Sequence, residues 1–432
     1  MRAPLATAAA LVLAAPALAQ PTTQAPAPAP TVVDSLALSD SILASPDPVE
    51  GAKVSFSPKV YAPFGWSPST GIGIGYGVEI QNLGFAGSSL LLTGVTSKHT
   101  GRYGAYAQTR TPYAPGVNAM LGGTFETTGR RYYYGVGPFS SADNRVALER
   151  QVYEAEARAG YSTAPQARQR VQAFGRYQFF KHRTAEEMDG GALGRLDAPS
   201  ALQLNEALAR DASAVTGGVE GIWDERNNLY TPRFGFVAQA GVSFTKALAG
   251  SDVSFLRTYA SANYFLPIEW RTSTLHLRGV VSSIDGIANG DANGRVPFYL
   301  QPVFDTDYGL GLATHRYYAN DFFLVSGEVQ TPVFITGALN LEAIGGVTLY
   351  NAYDNIFKEF NPVPSLGKNE VVVGRNRHPL QLALGGGARL SSELLPGFVL
   401  HGQVGFSPEG LSITTFSIVA DLRAARPILR GN

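Results

Sequence analysis

The stretch that most resembles a ligand loop is "GIGIGYG" at 71–77, with glycines at every second position. A dinucleotide fingerprint needs glycines at its first, third and sixth positions, just ahead of a helix. Here the sixth position is Tyr76 when counted from Gly71 and Val78 when counted from Gly73, so a phosphate cradle is excluded. What remains is strict period two. Ile72, Ile74, Tyr76, Val78 and Ile80 form one large apolar face, while Gly71, Gly73, Gly75 and Gly77 form a face almost without side chains. That is the pattern of a β-strand.

Other chemistries lack their residues. The chain has 0 cysteines, which removes thiol nucleophiles and thiolate metal sites. His99, His182, His276, His315, His378 and His401 share no ligand-like spacing, and no Gly-x-Ser-x-Gly elbow occurs. "NGDANG" at 289–294 copies the opening of a calcium loop, but its twelfth position is Leu300 where a bidentate Glu belongs; a plain outer loop is the competing assignment. Lys plus Arg (34) balance Asp plus Glu (34), so no net field draws nucleic acid. No catalytic residue, metal or cofactor is expected, and the protein is read as a non-enzyme.

The elements that carry these residues repeat the alternation of 71–81 along the chain. In "VYEAEARAGY" Tyr153, Ala155, Ala157, Ala159 and Tyr161 oppose Glu154, Glu156 and Arg158. In "TLHLRGVV" Leu275, Leu277, Gly279 and Val281 oppose His276 and Arg278, and "FVLHGQVGF" sets Leu400, Val404 and Phe406 against His401 and Gln403. Many segments reach the roughly 9 to 11 residues of a tilted membrane strand, and the polar faces hold charges that tolerate a wet lumen. Aromatics near segment ends (Tyr103, Tyr113, Tyr153, Tyr161, Tyr264, Phe265) suit an interfacial girdle, and prolines fall mostly outside the segments. Sixteen segments can be counted, from 53–62 to 412–422, with long connections at 129–148, 184–211, 285–321 and 351–378. The expected fold is all-β: a transmembrane antiparallel β-barrel of 16 strands.

Processing signals frame this region. Arg2, the apolar run 8–15 and Ala17-Leu18-Ala19 read as a signal peptide over 1–19. A Pro/Ala-rich periplasmic linker over 20–50 follows, with room for a short helix at 33–44. The barrel is expected over 51–423 and a C-terminal tail over 424–432. No stretch approaches the roughly 20 apolar residues of a spanning helix.

One region carries more than rhythm. Asp224, Arg226 and Asn228 end one strand, and Pro232 and Gly235 open the next, a strand-turn motif that resembles the barrel of the bacterial surface antigen (BamA/TamA-like) superfamily. "SPSTGIGIGYG" is similar to the start of that barrel, "RRYYYGVGPFSS" to a segment of its short members, and "VPFYLQPVFDTDYGLGLATHRYY" to its long sixth outer loop. The resemblance covers roughly 50–423 and implies the short branch without periplasmic POTRA modules, since only the linker precedes residue 51. It also implies a loop folded into or over the lumen, whose Arg meets acidic residues on the wall. Aligned this way, Gly311 falls on the family's glycine but Leu310 on its arginine; Glu328 matches the wall Glu, and the expected Asp falls near Ala343 or Ile344. Either Arg316 or His315 is then expected to replace the arginine against Glu328, unless Glu328 meets another lumenal Arg. If Ile72 and its neighbours face lipid, the glycine face of 71–77 points to the lumen, where it allows a close loop or a bendable strand near the seam.

The resemblance implies a bacterial outer-membrane barrel that inserts or translocates protein, or lipid, through its seam or lumen. Its surroundings would be outer-membrane lipid, a periplasmic partner supplying recognition modules, and a client polypeptide. The alternative is a passive channel or structural barrel without assembly activity. Arginines on inward faces favour a narrow or plugged lumen over a wide one.

Overall fold

The computed structural model describes residues 55–57, 64–67, 71–81 and 88–419, the last span with gaps at 99, 110–115, 138–139, 164–168, 186–193, 195, 228–231, 292–293, 305–308, 313–315, 337–338, 366–377, 393–398 and 409. The proposed signal peptide, linker, helix at 33–44 and C-terminal tail lie outside the described residues. Among the described residues no helix is long and apolar enough to cross a membrane.

The wall is antiparallel and follows chain order. It begins with two short strands, β1 (Ser55–Ser57) and β2 (Phe64–Ser67), both paired with β3 (Gly71–Gln81). Then come β4 (Ser89–Ser97), β5 (Thr100–Gln108), β6 (Gly116–Tyr133), β7 (Val146–Ser162) and β8 (Gln169–Thr184). After helix α1 (Ala198–Ala209) follow β9 (Ala212–Asp224), β10 (Gly235–Ala249), β11 (Ser254–Ile268) and β12 (Ser273–Ala288). A two-residue ribbon, β13 (Val303–Phe304) with β14 (Tyr317–Tyr318), lies in the next connection. β15 (Asp321–Ile335), β16 (Leu339–Tyr353), helix α2 (Ile356–Glu359), β17 (Phe360–Ser365), β18 (His378–Ser392), β19 (Val399–Ser407) and β20 (Gly410–Val419) complete the order. β17 pairs in parallel with one end of β18 and is not part of the ring.

The wall has 16 strands, from β2 through β12 to β15, β16, β18, β19 and β20. The first differs from the expected segment at 53–62. Its described parts are 55–57 and 64–67, and their registers on β3 differ by two residues (Ser55↔Gln81, Phe64↔Ile74), as in one irregular strand. Among the described residues no ladder joins β3 to β20 directly, and β2 bridges them with two residue pairs to β20, Gly65↔Ser417 and Trp66↔Phe416.

Alternation decides which face is which. Tyr153, Tyr161, Val171, Val219, Val404 and Phe406 are exposed on the outside, whereas Glu156, Gln178 and Glu220 are buried on the inside. Tyr103, Phe125 and Tyr153 sit side by side across β5, β6 and β7, and their rings pack at 6.4 and 4.7 Å in the manner of an aromatic belt. Phe265 departs from that expectation. It faces the lumen and stacks on His276 at 4.4 Å, because inward parity at that position outranks its place near a strand end.

The connections at 134–145, 185–211, 289–320 and 354–377 follow β6, β8, β12 and β16, the fifth, seventh, eleventh and thirteenth strands of the wall, so all four lie at one end. Turns at the opposite end span at most ten residues, the longest being 225–234. α1 is capped by Asp197, whose carboxylate accepts from the Ser200 N–H at 2.8 Å. It buries Ser200, Gln203, Leu204 and Ala207, one helical face, against the upper wall. That face joins Tyr133, Phe180, Phe298, Tyr299 and Tyr318 in a hydrophobic cap over the long-loop end of the lumen. Gln203 ties the cap together by donating to Asp291 Oδ2 (2.9 Å) and accepting from the Phe298 N–H (3.1 Å).

The turn at 225–234 tests this framework. Gly235 has φ +100°, and a Cβ there would lie 2.1 Å from the Glu225 carbonyl oxygen. Gly235→Ala should therefore lower stability by about 1–3 kcal/mol, read as a lower urea midpoint for loss of the folded electrophoretic form. Gly279→Ala, where a Cβ meets nothing within 4 Å, should leave that midpoint nearly unchanged.

Candidate functional site

The functional geometry lies inside the ring, where the connection 289–320 descends from the long-loop end. Its tip presses on the inner wall through backbone. Gly311 has φ +84°, and a Cβ on it would meet the Ala383 Cβ at 2.8 Å and the Leu384 carbonyl oxygen at 3.0 Å. A Cβ on Gly405 of β19 would lie 2.1 Å from the Gly311 Cα, and one on Gly385 of β18 would lie 2.5 Å from the Leu310 Cβ. A Cβ on Gly309 would lie 2.8 Å from Thr348 of β16. The missing side chains at Gly385 and Gly405 thus make a shallow seat that admits the loop's main chain. Leu310 and Leu312 are buried there; Leu312 packs with Tyr259, Phe322, Leu324 and Tyr350. Where the family resemblance led us to look for an arginine, an apolar knob sits against glycine.

Arg316 does not meet Glu328. Its guanidinium is fully buried and donates to the Ser140 Oγ (2.9 Å) and the Ser140 carbonyl (2.6 Å), while stacking on the rings of Tyr317 (4.4 Å) and Tyr134 (5.1 Å). The expected pairing is corrected for a topological reason. Arg316 lies on the returning limb of the loop, beside the connection 134–145, far along β15 from Glu328. His315 lies outside the described residues. Glu328 meets His276 of the neighbouring strand (Oε2 to Nδ1, 3.4 Å), and His276 Nε2 lies 3.0 Å from Asn263 Oδ1, which also accepts from Arg278 Nε at 2.8 Å.

Sequence reasoning missed the two most saturated carboxylates. Glu342, next to the Ala343 position where an Asp was sought, is completely buried. It pairs with Arg389 of β18 (Nε to Oε2, 2.6 Å) and with Arg233, which reaches it from the turn before β10, four strands away around the ring. Arg389 also donates to Gln330 Oε1 at 2.9 Å. Glu220 of β9 accepts from Arg158 (2.6 Å), Tyr259 (2.6 Å), Gln239 (2.8 Å) and Gln172. The available signal was parity: both carboxylates fall at inward positions of alternating strands.

The strand-turn motif supports that reach. Arg226 forks onto Asp224 (Nε to Oδ1 2.8 Å, Nη2 to Oδ2 2.5 Å), and Pro232 is buried. Asn228 lies outside the described residues. The neighbouring Asn227 does the local work, accepting from the N–H groups of Arg233 (2.9 Å) and Phe234 (3.1 Å) and so fixing the backbone from which Arg233 extends.

The glycine face of β3 lies beside the seam. Tyr76 pairs with Gly94, which pairs with the outward Tyr103, so Gly75 and Gly77 fall on the lumenal face, where both are buried. Gly73 and Gly71 face Gly65 and Ser67 of β2, the strand that makes the two-pair contact with β20. Every other adjacent pair of long wall strands shares at least eight residue pairs.

Comparison with known proteins fits this geometry. The Omp85 superfamily domain matches residues 99–348. The structure is similar to BamA from Haemophilus ducreyi lacking POTRA domains 1–3, with TM-score 0.59 and 13% identity over 90% of this chain and 78% of that one. It is also similar to CdiB from Acinetobacter baumannii, with TM-score 0.47 and 12% identity over 83% of this chain and 58% of that one. No curated protein sequence matches the chain.

The two carboxylate sites should respond differently to mutation. Glu342→Gln leaves Arg389 and Arg233 facing a neutral group in the interior and should cost about 3–5 kcal/mol, whereas Glu328→Gln, which loosens a 3.4 Å contact to His276 and more distant attraction to Arg278 and His401, should cost less, about 1–2 kcal/mol. Urea unfolding followed by tryptophan fluorescence checks the order; equal losses would contradict it.

Proposed function

The chain belongs to the Omp85 superfamily, and on that premise we propose that it works in the bacterial outer membrane, inserting or translocating polypeptide by opening the seam between β2 and β20. One observation carries this reading. Among the described residues the seam is held by two residue pairs, while the flanking ladders hold four between β2 and β3 and eight between β19 and β20, so it is the cheapest place in the wall to separate. An opened seam presents unpaired N–H and C=O groups of β20 to a client strand, which can satisfy them by adding to the sheet. Lipid is a second possible cargo for the same opening. Its passage would gain nothing from exposed strand edges, so polypeptide is preferred.

The passive-channel reading is weaker on geometry. The long-loop end is roofed by α1 and the 295–303 segment, and the loop tip occupies the wall beneath it. Among the described residues, this roof and the seated loop tip take up the space that a diffusion pore would need open. A periplasmic partner that recognises clients and delivers them to the seam completes the proposal.

The absence of native cysteine makes the test clean. Gly65→Cys combined with Ser417→Cys places thiols at a paired position across the seam. Oxidised, this variant should lose insertion of a client barrel into proteoliposomes by at least about tenfold and regain it on reduction. Full activity in the cross-linked state would sink the seam mechanism.

A further inference from the structure

The upper inner wall of β6, β7 and β8 holds a group of cations that the seam mechanism does not use. Arg150 and His182 are directly opposed across β7 and β8, and Thr128 opposes Arg150 from β6. Arg131 lies just beyond the irregularity that separates Thr128 from Arg131 in that ladder. All three cationic or imidazole side chains are at least nine-tenths buried: Arg131 is 2%, Arg150 4% and His182 4% exposed. Arg131 gives its Nε to the Tyr318 hydroxyl at 2.9 Å, but its Nη2 is buried without a partner. Arg150 Nε and both ring nitrogens of His182 are likewise unpartnered among the described residues.

Their other contacts are aromatic. Arg150 lies over Phe180 (5.5 Å), and His182 packs against Phe298 (5.3 Å) and Tyr299 (5.6 Å). None of these supplies negative charge at neutral pH, since burial pushes the Tyr299 phenol up to about 12. Glu126 and Glu154 act on Arg150 through space and make closer contacts elsewhere: Glu126 lies 3.9 Å from Arg102 and accepts from Thr128 Oγ1 at 3.4 Å, and Glu154 accepts from Gln178 at 3.0 Å. Two guanidiniums and an imidazole with orphaned donors, packed side by side under an apolar roof, violate the rule that buried charges are paired.

We propose that this cluster binds a phosphate-class oxyanion. A tetrahedral oxyanion can accept from Arg131 Nη2, from the Arg150 guanidinium and from one nitrogen of His182, which satisfies the orphaned donors and neutralises the cluster at once. Bound there, the anion joins three wall strands to the roof contributed by the 298–300 turn and Tyr318, so it rigidifies the cap. The shared chemistry is the phosphate group itself, supplied by inorganic phosphate or by the phosphomonoester of a lipid.

The test uses the full chain in detergent and phosphate-free buffer, titrated at fixed ionic strength with inorganic phosphate or, separately, with short-chain phosphatidic acid. Saturable one-site binding by calorimetry, with a matching rise in Tm, is expected for at least one of them; inorganic phosphate alone sufficing identifies the free ion, and phosphatidic acid alone identifies the lipid. Arg150→Gln should weaken that binding by at least about tenfold, His182→Gln should weaken it less, and both should fold in phosphate-free buffer with a Tm no lower than the parent's. No saturable binding of either ligand, or unchanged binding by Arg150→Gln, overturns the proposal. So does failure of Arg150→Gln to fold without phosphate, because that would show the charge is already compensated in the protein.

Discussion

In hydrocarbon no water can satisfy a backbone N–H or C=O, so every wall residue must find its partner in a neighbouring strand. That constraint fixes the antiparallel ring, and the ring fixes the rest. Strand parity sends Tyr153 and Val171 outward and Glu156 and Glu220 inward, and chain order places all four long connections at one end. With the lower lumen lined by charged side chains, each inward carboxylate must in turn be saturated. Glu220 gathers four donors, and Glu342 draws Arg389 across a ladder and Arg233 across the lumen.

The same constraint makes the two irregular places informative. Where the chain gives up wall side chains, at Gly385 and Gly405, the space is taken by the main chain of the loop around Gly311. Where it gives up ladder length, between β2 and β20, the described residues keep two residue pairs. The loop seated on glycine and the seam held by a short bridge are the two features on which the proposed route through the wall rests.

Much of this was legible from alternation alone. The strand at 71–81 matched to the residue, and the glycine face proved lumenal at Gly75 and Gly77. What periodicity could not supply was contact between elements distant in sequence. The family resemblance placed Gly311 at a loop tip but could not show that Gly405, nearly a hundred residues later, would be the surface beneath it. The same resemblance sent Arg316 toward Glu328; the structure holds Arg316 on Ser140 and two tyrosines, since the loop's returning limb passes connection 134–145 first. The first wall strand escaped for a local reason. Its described parts are three and four residues long, too short to show a period.

The central claim is that the loop seated on Gly385 and Gly405 closes the lumen, so that any traffic must use the wall. Planar-bilayer conductance of the purified chain beside its Gly405→Leu variant tests it most directly, since that side chain would occupy the place of the Gly311 backbone. The account expects the parent to show no large stable opening and the variant to conduct steadily. A parent that already conducts as an open pore, or a variant as closed as the parent, would contradict it.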